Sequence, residues 1–152
     1  MDQSRKQVDW EKIKSFRPAE FDDPGYPGSW IYLNPDTIYE LDRLRQKTGW
    51  KIITHNKCGL KGCVCVDPVG HSKDSLHYVR MGKLCSAVDW HFETDVDPRQ
   101  QAREVLKSGF TGVGVYYDWR WIKPLSVAFH TDMRPRPQVW VREDGEYFYL
   151  LK

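Results

Sequence analysis

Ser86-Ala87-Val88-Asp89-Trp90-His91 is the stretch whose reading decides the architecture, and Val127-Ala128-Phe129-His130-Thr131-Asp132 is its counterpart downstream. A strand sends every second side chain to the same face. A strand over 86–92 therefore puts Asp89 and His91 on one face, and a strand over 126–131 does the same for His130 and, one step on, Asp132. As neighbours in one sheet, these two strands would set a carboxylate beside an imidazole.

Outward from that pair, the chain alternates between strands and two helices. Asn34 caps a helix with Pro35 at its first position, Ile38, Leu41 and Leu44 on one face and Gly49 at its end. Trp50-Lys51-Ile52-Ile53-Thr54 follows as a buried strand. Asp97-Pro98 opens a second helix by the same logic, with Ala102, Val105 and Leu106 inward and Gly109 past its end. Residues 112–116, 138–141 and 146–151 are further strands, the last two joined by a Glu143-Asp144-Gly145 turn.

Pro24, Gly25, Pro27 and Gly28 make 22–33 a loop, and 55–73 lacks any clean period. Residues 1–15 read as a polar lead-in holding a short helix anchored by Val8, Trp10 and Ile13. The expectation is a small single α+β domain spanning 1–152, with a mostly antiparallel sheet flanked by helices.

Composition narrows the function classes. A hydrophobic content of 40% with 14% aromatics excludes a disordered chain. With 23 basic and 21 acidic residues the net charge is +2, which gives no electrostatic footprint for nucleic acid. Seven tryptophans serve a core and, for a few, the walls of a ligand groove. No membrane-spanning run occurs, and Met1-Asp2-Gln3-Ser4-Arg5-Lys6 lacks the apolar stretch of a secretory signal. Cytoplasmic synthesis as a soluble chain, or release without a cleaved leader, is the expectation.

Cys58, Cys63, Cys65 and Cys85 match no common zinc-ribbon spacing. Structural thiols, disulfides, a second metal site and a catalytic thiol all stay open. Trp119-Arg120-Trp121 reads either as a stacking platform or as a loop anchored on the core, and Arg134-Pro135-Arg136-Pro137 as a loop between strands. Tyr116 and Tyr117 can serve an oxyanion or plain packing, and His71 falls in a loop.

His77, in Ser75-Leu76-His77-Tyr78, completes a candidate trio with Asp89 and His130. Two imidazoles and a carboxylate with one open position form a catalytic rather than a structural zinc site. A fourth ligand such as His91 would close it.

The residues Ser75-Leu76-His77-Tyr78, Gly82 and Ala87-Val88-Asp89 resemble the Ser-x-His-x-x-Gly-x-Ala-x-Asp motif of D-alanyl-D-alanine carboxypeptidase-like zinc peptidases. That group includes phage endolysins, the vancomycin-resistance dipeptidases and the zinc domain of hedgehog proteins. Gly112-Val113-Gly114-Val115-Tyr116, His130-Thr131-Asp132-Met133-Arg134 and Trp140 are similar to the closing motif of a bacterial and phage branch. Phe16-Arg17-Pro18-Ala19-Glu20-Phe21 and Leu41-Asp42-Arg43-Leu44-Arg45 are similar to its beginning, so the resemblance covers roughly residues 14–141.

It implies a hedgehog-type fold, Zn2+ held by His77, Asp89 and His130, and hydrolysis of a peptide bond in peptidoglycan stem peptides or another D-Ala-containing peptide. A monomer acting on the cell wall after release, phage-encoded or bacterial, goes with it. The chain departs from the family in three places. The interval from His77 to Asp89 is longer. The usual substrate-binding arginine is replaced by Thr54-His55-Asn56-Lys57, leaving Lys57 or Arg80 to bind a carboxylate. Val127 stands where many members carry the general-base acid. Asp132, His91 and Asp118 are the alternatives for the base, with Asp132 assigned the proton shuttle; Asp132 can instead pair with Arg134 or orient a ligand. These departures leave an inactive zinc-containing binding module of the same fold as the alternative function.

Overall fold

Asn34 accepts a hydrogen bond from the Asp36 N–H (3.0 Å) at the head of helix α1 (Pro35–Thr48). Gly49, at φ 71°, ends it in the left-handed conformation that suits glycine. The computed structural model describes residues 6–56, 62–66, 74–79, 83–119 and 127–151. After α1 come strands β1 (Lys51–His55) and β2 (Ala87–Glu93), helix α2 (Pro98–Leu106), then β3 (Gly112–Tyr116), β4 (Ala128–Asp132), β5 (Gln138–Glu143) and β6 (Glu146–Leu151). The strands form one sheet in the order β1-β2-β4-β3-β5-β6. Every neighbouring pair is antiparallel except β3–β5. This is a small single α+β domain.

Register sorts the strand residues onto two faces. One carries Ile52, Val88, Trp90, Phe92, Val113, Val115 and Phe129, all buried. They share one apolar cluster with Ile38, Leu41 and Leu44 of α1 and Ala102 and Val105 of α2. Each large side chain enclosed there contributes about 1.5–3 kcal/mol relative to exposure. Polar atoms on this face are paired: the Trp90 indole N–H donates to Thr131 Oγ1 at 2.9 Å, and the Thr54 hydroxyl to the Glu20 carbonyl at 2.7 Å. The opposite face carries His55, Asp89, His91, His130, Asp132 and Trp140.

Several boundaries differ from the sequence reading, for local reasons. Asp97 caps α2 and Gly109 lies past its end, as expected; the helix stops at Leu106 with Lys107 as its C-cap, and Leu106 is 45% exposed instead of inward. Gly109 donates its N–H to Glu40 (2.6 Å), tying the end of α2 to α1. The 22–33 loop contains a 3-10 turn at Ser29–Tyr32, entered through Gly28 at φ 87°. The lead-in forms a 3-10 turn at Trp10–Lys12 capped by Asp9. At the hairpin between β5 and β6, Asp144 and Gly145 both adopt positive φ, the pairing that a two-residue turn requires. No helix among the described residues is long and apolar enough to cross a membrane.

Candidate metal centre

Five strands place a row of residues in direct register: His55 opposite Asp89, Asp89 opposite His130, His130 opposite Gly114, and Gly114 opposite Trp140. Directly opposed residues in a sheet sit close enough for their side chains to touch. His130 Nδ1 meets Asp89 Oδ1 at 2.8 Å.

His77 reaches this row from outside the sheet. The Cys65 N–H donates to the His77 carbonyl (3.0 Å) and Val79 N–H to the Cys65 carbonyl (2.9 Å), so segment 62–66 runs beside segment 74–79. Ser86 N–H donates to the Leu76 carbonyl (3.0 Å), fixing His77 beside the start of β2. His77 Nε2 then lies 3.3 Å from Asp89 Oδ2, and its ring meets that of His130 edge to face at 5.4 Å. Ligand atoms of His77, Asp89 and His130 fall within 4.8 Å of one another.

The electrostatics of the trio suit a cation. Burial opposes ionisation of all three groups and is the largest influence on each. It is outweighed nonetheless. Asp89 raises the proton affinity of His77 well above normal, and Asp132 and then Asp89 raise that of His130. The Asp89 carboxyl is held far below the usual carboxylate range by the charge of His77 and a hydrogen bond to His130. Two nearly enclosed carboxylates thus draw positive charge to this point, and a metal ion can supply it in place of protons. The donor set of two imidazoles and one carboxylate fits zinc.

Asp132 sits behind His130. Fully buried, it lies 2.8 Å from His130 Nε2, while Arg134 Nε donates to its Oδ1 (2.8 Å) and the Arg134 backbone N–H caps the same oxygen (3.1 Å). Arg134 and then His130 keep its carboxyl well below the usual range, against burial. A carboxylate so placed orients a metal-binding imidazole through its far nitrogen. Of the two uses the sequence leaves for Asp132, this geometry is that of the orienting partner, with Arg134 as its counter-ion.

The two glycines of β3 make room for this brace. A Cβ at Gly112 would fall inside the Asp132 carboxylate, and one at Gly114 would lie 2.6 Å from the Trp140 ring. Trp140 packs on His130 at 5.3 Å between ring centroids, takes the Arg134 guanidinium over its face at 4.9 Å, and donates its indole N–H to the Tyr116 hydroxyl at 3.0 Å. Sequence reasoning found these residues as a motif but not their interlock. The signal was there: Gly-x-Gly and His-x-Asp share a two-residue step.

The remaining candidates lie elsewhere. His91 pairs with His55, Nδ1 to Nε2 at 2.6 Å with stacked rings, a partnership the sequence reading missed. Asp118 accepts the Gly145 N–H (2.6 Å) and lies 3.3 Å from Arg142 Nε, which makes it a hairpin anchor rather than a base. Trp119 packs edge-on against Tyr116 at 5.1 Å. Lys57, Arg80, Cys58, His71, Gly82, Arg120 and Trp121 lie outside the described residues.

Cys63, Cys65 and Cys85 are buried as thiols. Cys63 and Cys85 bring their sulfurs to 3.6 Å, and both donate to the Ala87 carbonyl, at 2.9 and 3.4 Å. The Cys63 hydrogen bond, with His77 adding to it against burial, brings the Cys85 thiol down to about 6, while burial pushes Cys63 well up.

Comparison of the chain with protein-family models, with curated proteins and with solved structures finds no match in any of the three.

Proposed function

We propose that this chain is a zinc-dependent hydrolase of a peptide bond in peptidoglycan stem peptides, of the D-Ala-D-Ala carboxypeptidase or endopeptidase type, on a hedgehog-type fold. The observation that carries the reading is the convergence of His77, Asp89 and His130, three residues from separate segments, with ligand atoms within 4.8 Å. The motif resemblance supplies the substrate class.

His77, Asp89 and His130 hold the ion in this reading. Zinc, when bound, acts as a Lewis acid that polarises a substrate carbonyl and lowers the pKa of water. Asp132 keeps a proton on His130 Nε2, which turns Nδ1 toward the Asp89 side. Trp140 covers the other side of His130 and limits its rotation. Lys57 or Arg80 binds the substrate carboxylate.

The test is metal content and turnover measured together, on wild type and His130→Ala, with purified peptidoglycan and a peptide ending in D-Ala-D-Ala. About one zinc per chain, lost in the variant together with released peptide or amino acid, is the expected result. A second reading, an inactive zinc-containing binding module, is favoured by the absence of an acid at Val127 and the enclosure of Asp132. Zinc that depends on His130 with no cleavage of either substrate would establish that module instead.

A further inference from the structure

We propose that Cys63, Cys85 and His77 form a second metal position, selective for a thiophilic cation, which shares His77 with the Asp89–His130 site. Their ligand atoms lie within 4.8 Å of one another, the same closeness as in the first trio. Both sulfurs are fully enclosed, and they sit 3.6 Å apart without a bond between them. Backbone hydrogen bonds fix the segments that carry them: the His77 carbonyl accepts from Cys65 N–H (3.0 Å), while Val64, next to Cys63, and Cys85 itself are tied elsewhere. Val64 N–H donates to the Phe21 carbonyl (3.0 Å), Cys85 N–H to the Tyr32 carbonyl (2.9 Å), and the Cys85 carbonyl accepts from Asn34 at the cap of α1 (2.8 Å).

Buried cysteines often serve only as small apolar side chains. Such packing does not require two sulfurs to converge on one carbonyl beside an imidazole, as these do at Ala87. Two thiolates and one imidazole form a soft donor set suited to Cu+, Cd2+ or Zn2+, whereas two imidazoles and a carboxylate form a harder one. His77 belongs to both. An ion held by the thiolates therefore competes with the first site for one ligand, so the softness of the available metal decides how His77 is used. The inference goes beyond the hydrolase reading and does not require cleavage activity.

The experiment uses the full chain, reduced with a non-thiol reductant, and titrates it with Cd2+ in the near ultraviolet, where thiolate-to-cadmium charge transfer absorbs. Wild type and His130→Ala are expected to show the band. Cys63→Ser and Cys85→Ser are expected to lose it while still binding Co2+ through His130, which also shows that they fold. Bound Cd2+ is expected to weaken Zn2+ binding at the first site by at least about tenfold, since loss of a ligand costs no less than loss of its supporting partner. No band in wild type, a band that survives in both serine variants, or a band that vanishes in His130→Ala would each overturn the proposal. A wild-type chain that shows the band but cuts neither peptidoglycan nor peptide removes the hydrolase reading and leaves this one standing.

Discussion

The two faces of the sheet are built from the same strands and by opposite rules. On one, Ile52, Val88, Trp90, Phe92 and Phe129 meet the helices with little or no exposure. On the other, His55, Asp89, His91, His130 and Asp132 stand at the alternate positions of those very strands. Adjacent residues thus belong to different problems: Trp90 holds the fold, while Asp89 and His91 on either side of it stand on the opposite face, Asp89 in the trio and His91 against His55. The core face tolerates changes of shape within its volume. The site face depends on particular atoms, because burying charge is tolerable only when each group has its partner. A register slip of one residue would exchange the faces and destroy both.

The comparison breaks most severely from the core side. Trp90→Ala removes the largest fully buried side chain, its ring contacts with Phe92 and Phe129, and the hydrogen bond to Thr131. A loss of about 3–5 kcal/mol is expected, enough to unfold a marginal domain. Chemical denaturation should show it, and metal binding should fall with it. A variant that bound metal normally at full stability would show that the two faces are not coupled through β2.

Asp132→Asn reverses the test, touching only the site face. Asparagine keeps the size and an acceptor for His130 Nε2 but removes the charge that raises the proton affinity of that ring. Zinc affinity is expected to fall 10–100-fold, the usual cost of losing a carboxylate behind a ligating histidine. Competition against a chelating dye measures it. Unchanged affinity would mean that the acceptor behind His130 orients the ring and its charge adds nothing.

The core face was readable in the sequence because alternation and helix caps are local signals. Asn34-Pro35, Asp97-Pro98 and Asp144-Gly145 each stand at the boundary that their chemistry dictates. Leu106 was misplaced because a helix face is assigned by period, and the period says nothing of where the last turn leaves the core. The trio of His77, Asp89 and His130 came from motif spacing, since no local rule brings residue 77 to residue 130. For Asp132 the sequence shows the face and leaves two uses open, proton shuttle or pairing with Arg134; that Arg134 turns back to occupy it is visible only in the structure. The His55–His91 pair was missed because it needs the register of β1 on β2.

Gly114→Ala tests whether the brace over the site face is tight. The added methyl would lie 2.6 Å from the Trp140 ring, itself nearly buried against His130. Overpacking of this kind costs about 1–3 kcal/mol. The expected outcome is a lower midpoint of denaturation together with altered Trp140 fluorescence, compared against a Trp140→Phe background. Alanine accepted with neither change would show that Trp140 has room to move off His130.

The smallest expected effect is a pH dependence, which separates the half of the site face that attracts charge from the half that repels it. His91 is lowered to about 4, first by burial and then by the charge of His55, with Glu93 acting in the opposite sense. The unfolded chain has an ordinary histidine near about 6.5. Between those values the unfolded state binds more protons than the folded one, so stability rises with pH across that window. The contribution of His91 is complete above about 6.5 and is lost as pH falls toward 4. Discounted for the solvent that reaches the ring, it amounts to about 1 kcal/mol or less. His91→Gln keeps a polar partner for His55 and removes the titration. With metal chelated from both proteins, the melting temperature of the variant minus that of wild type should be small at neutral pH and grow more positive as pH falls through this window. A difference that stays constant would show that His91 takes up a proton as readily in the fold as outside it. The stacked pair would then lie open to water, and the charge-repelling half of this face would reduce to its apolar surroundings.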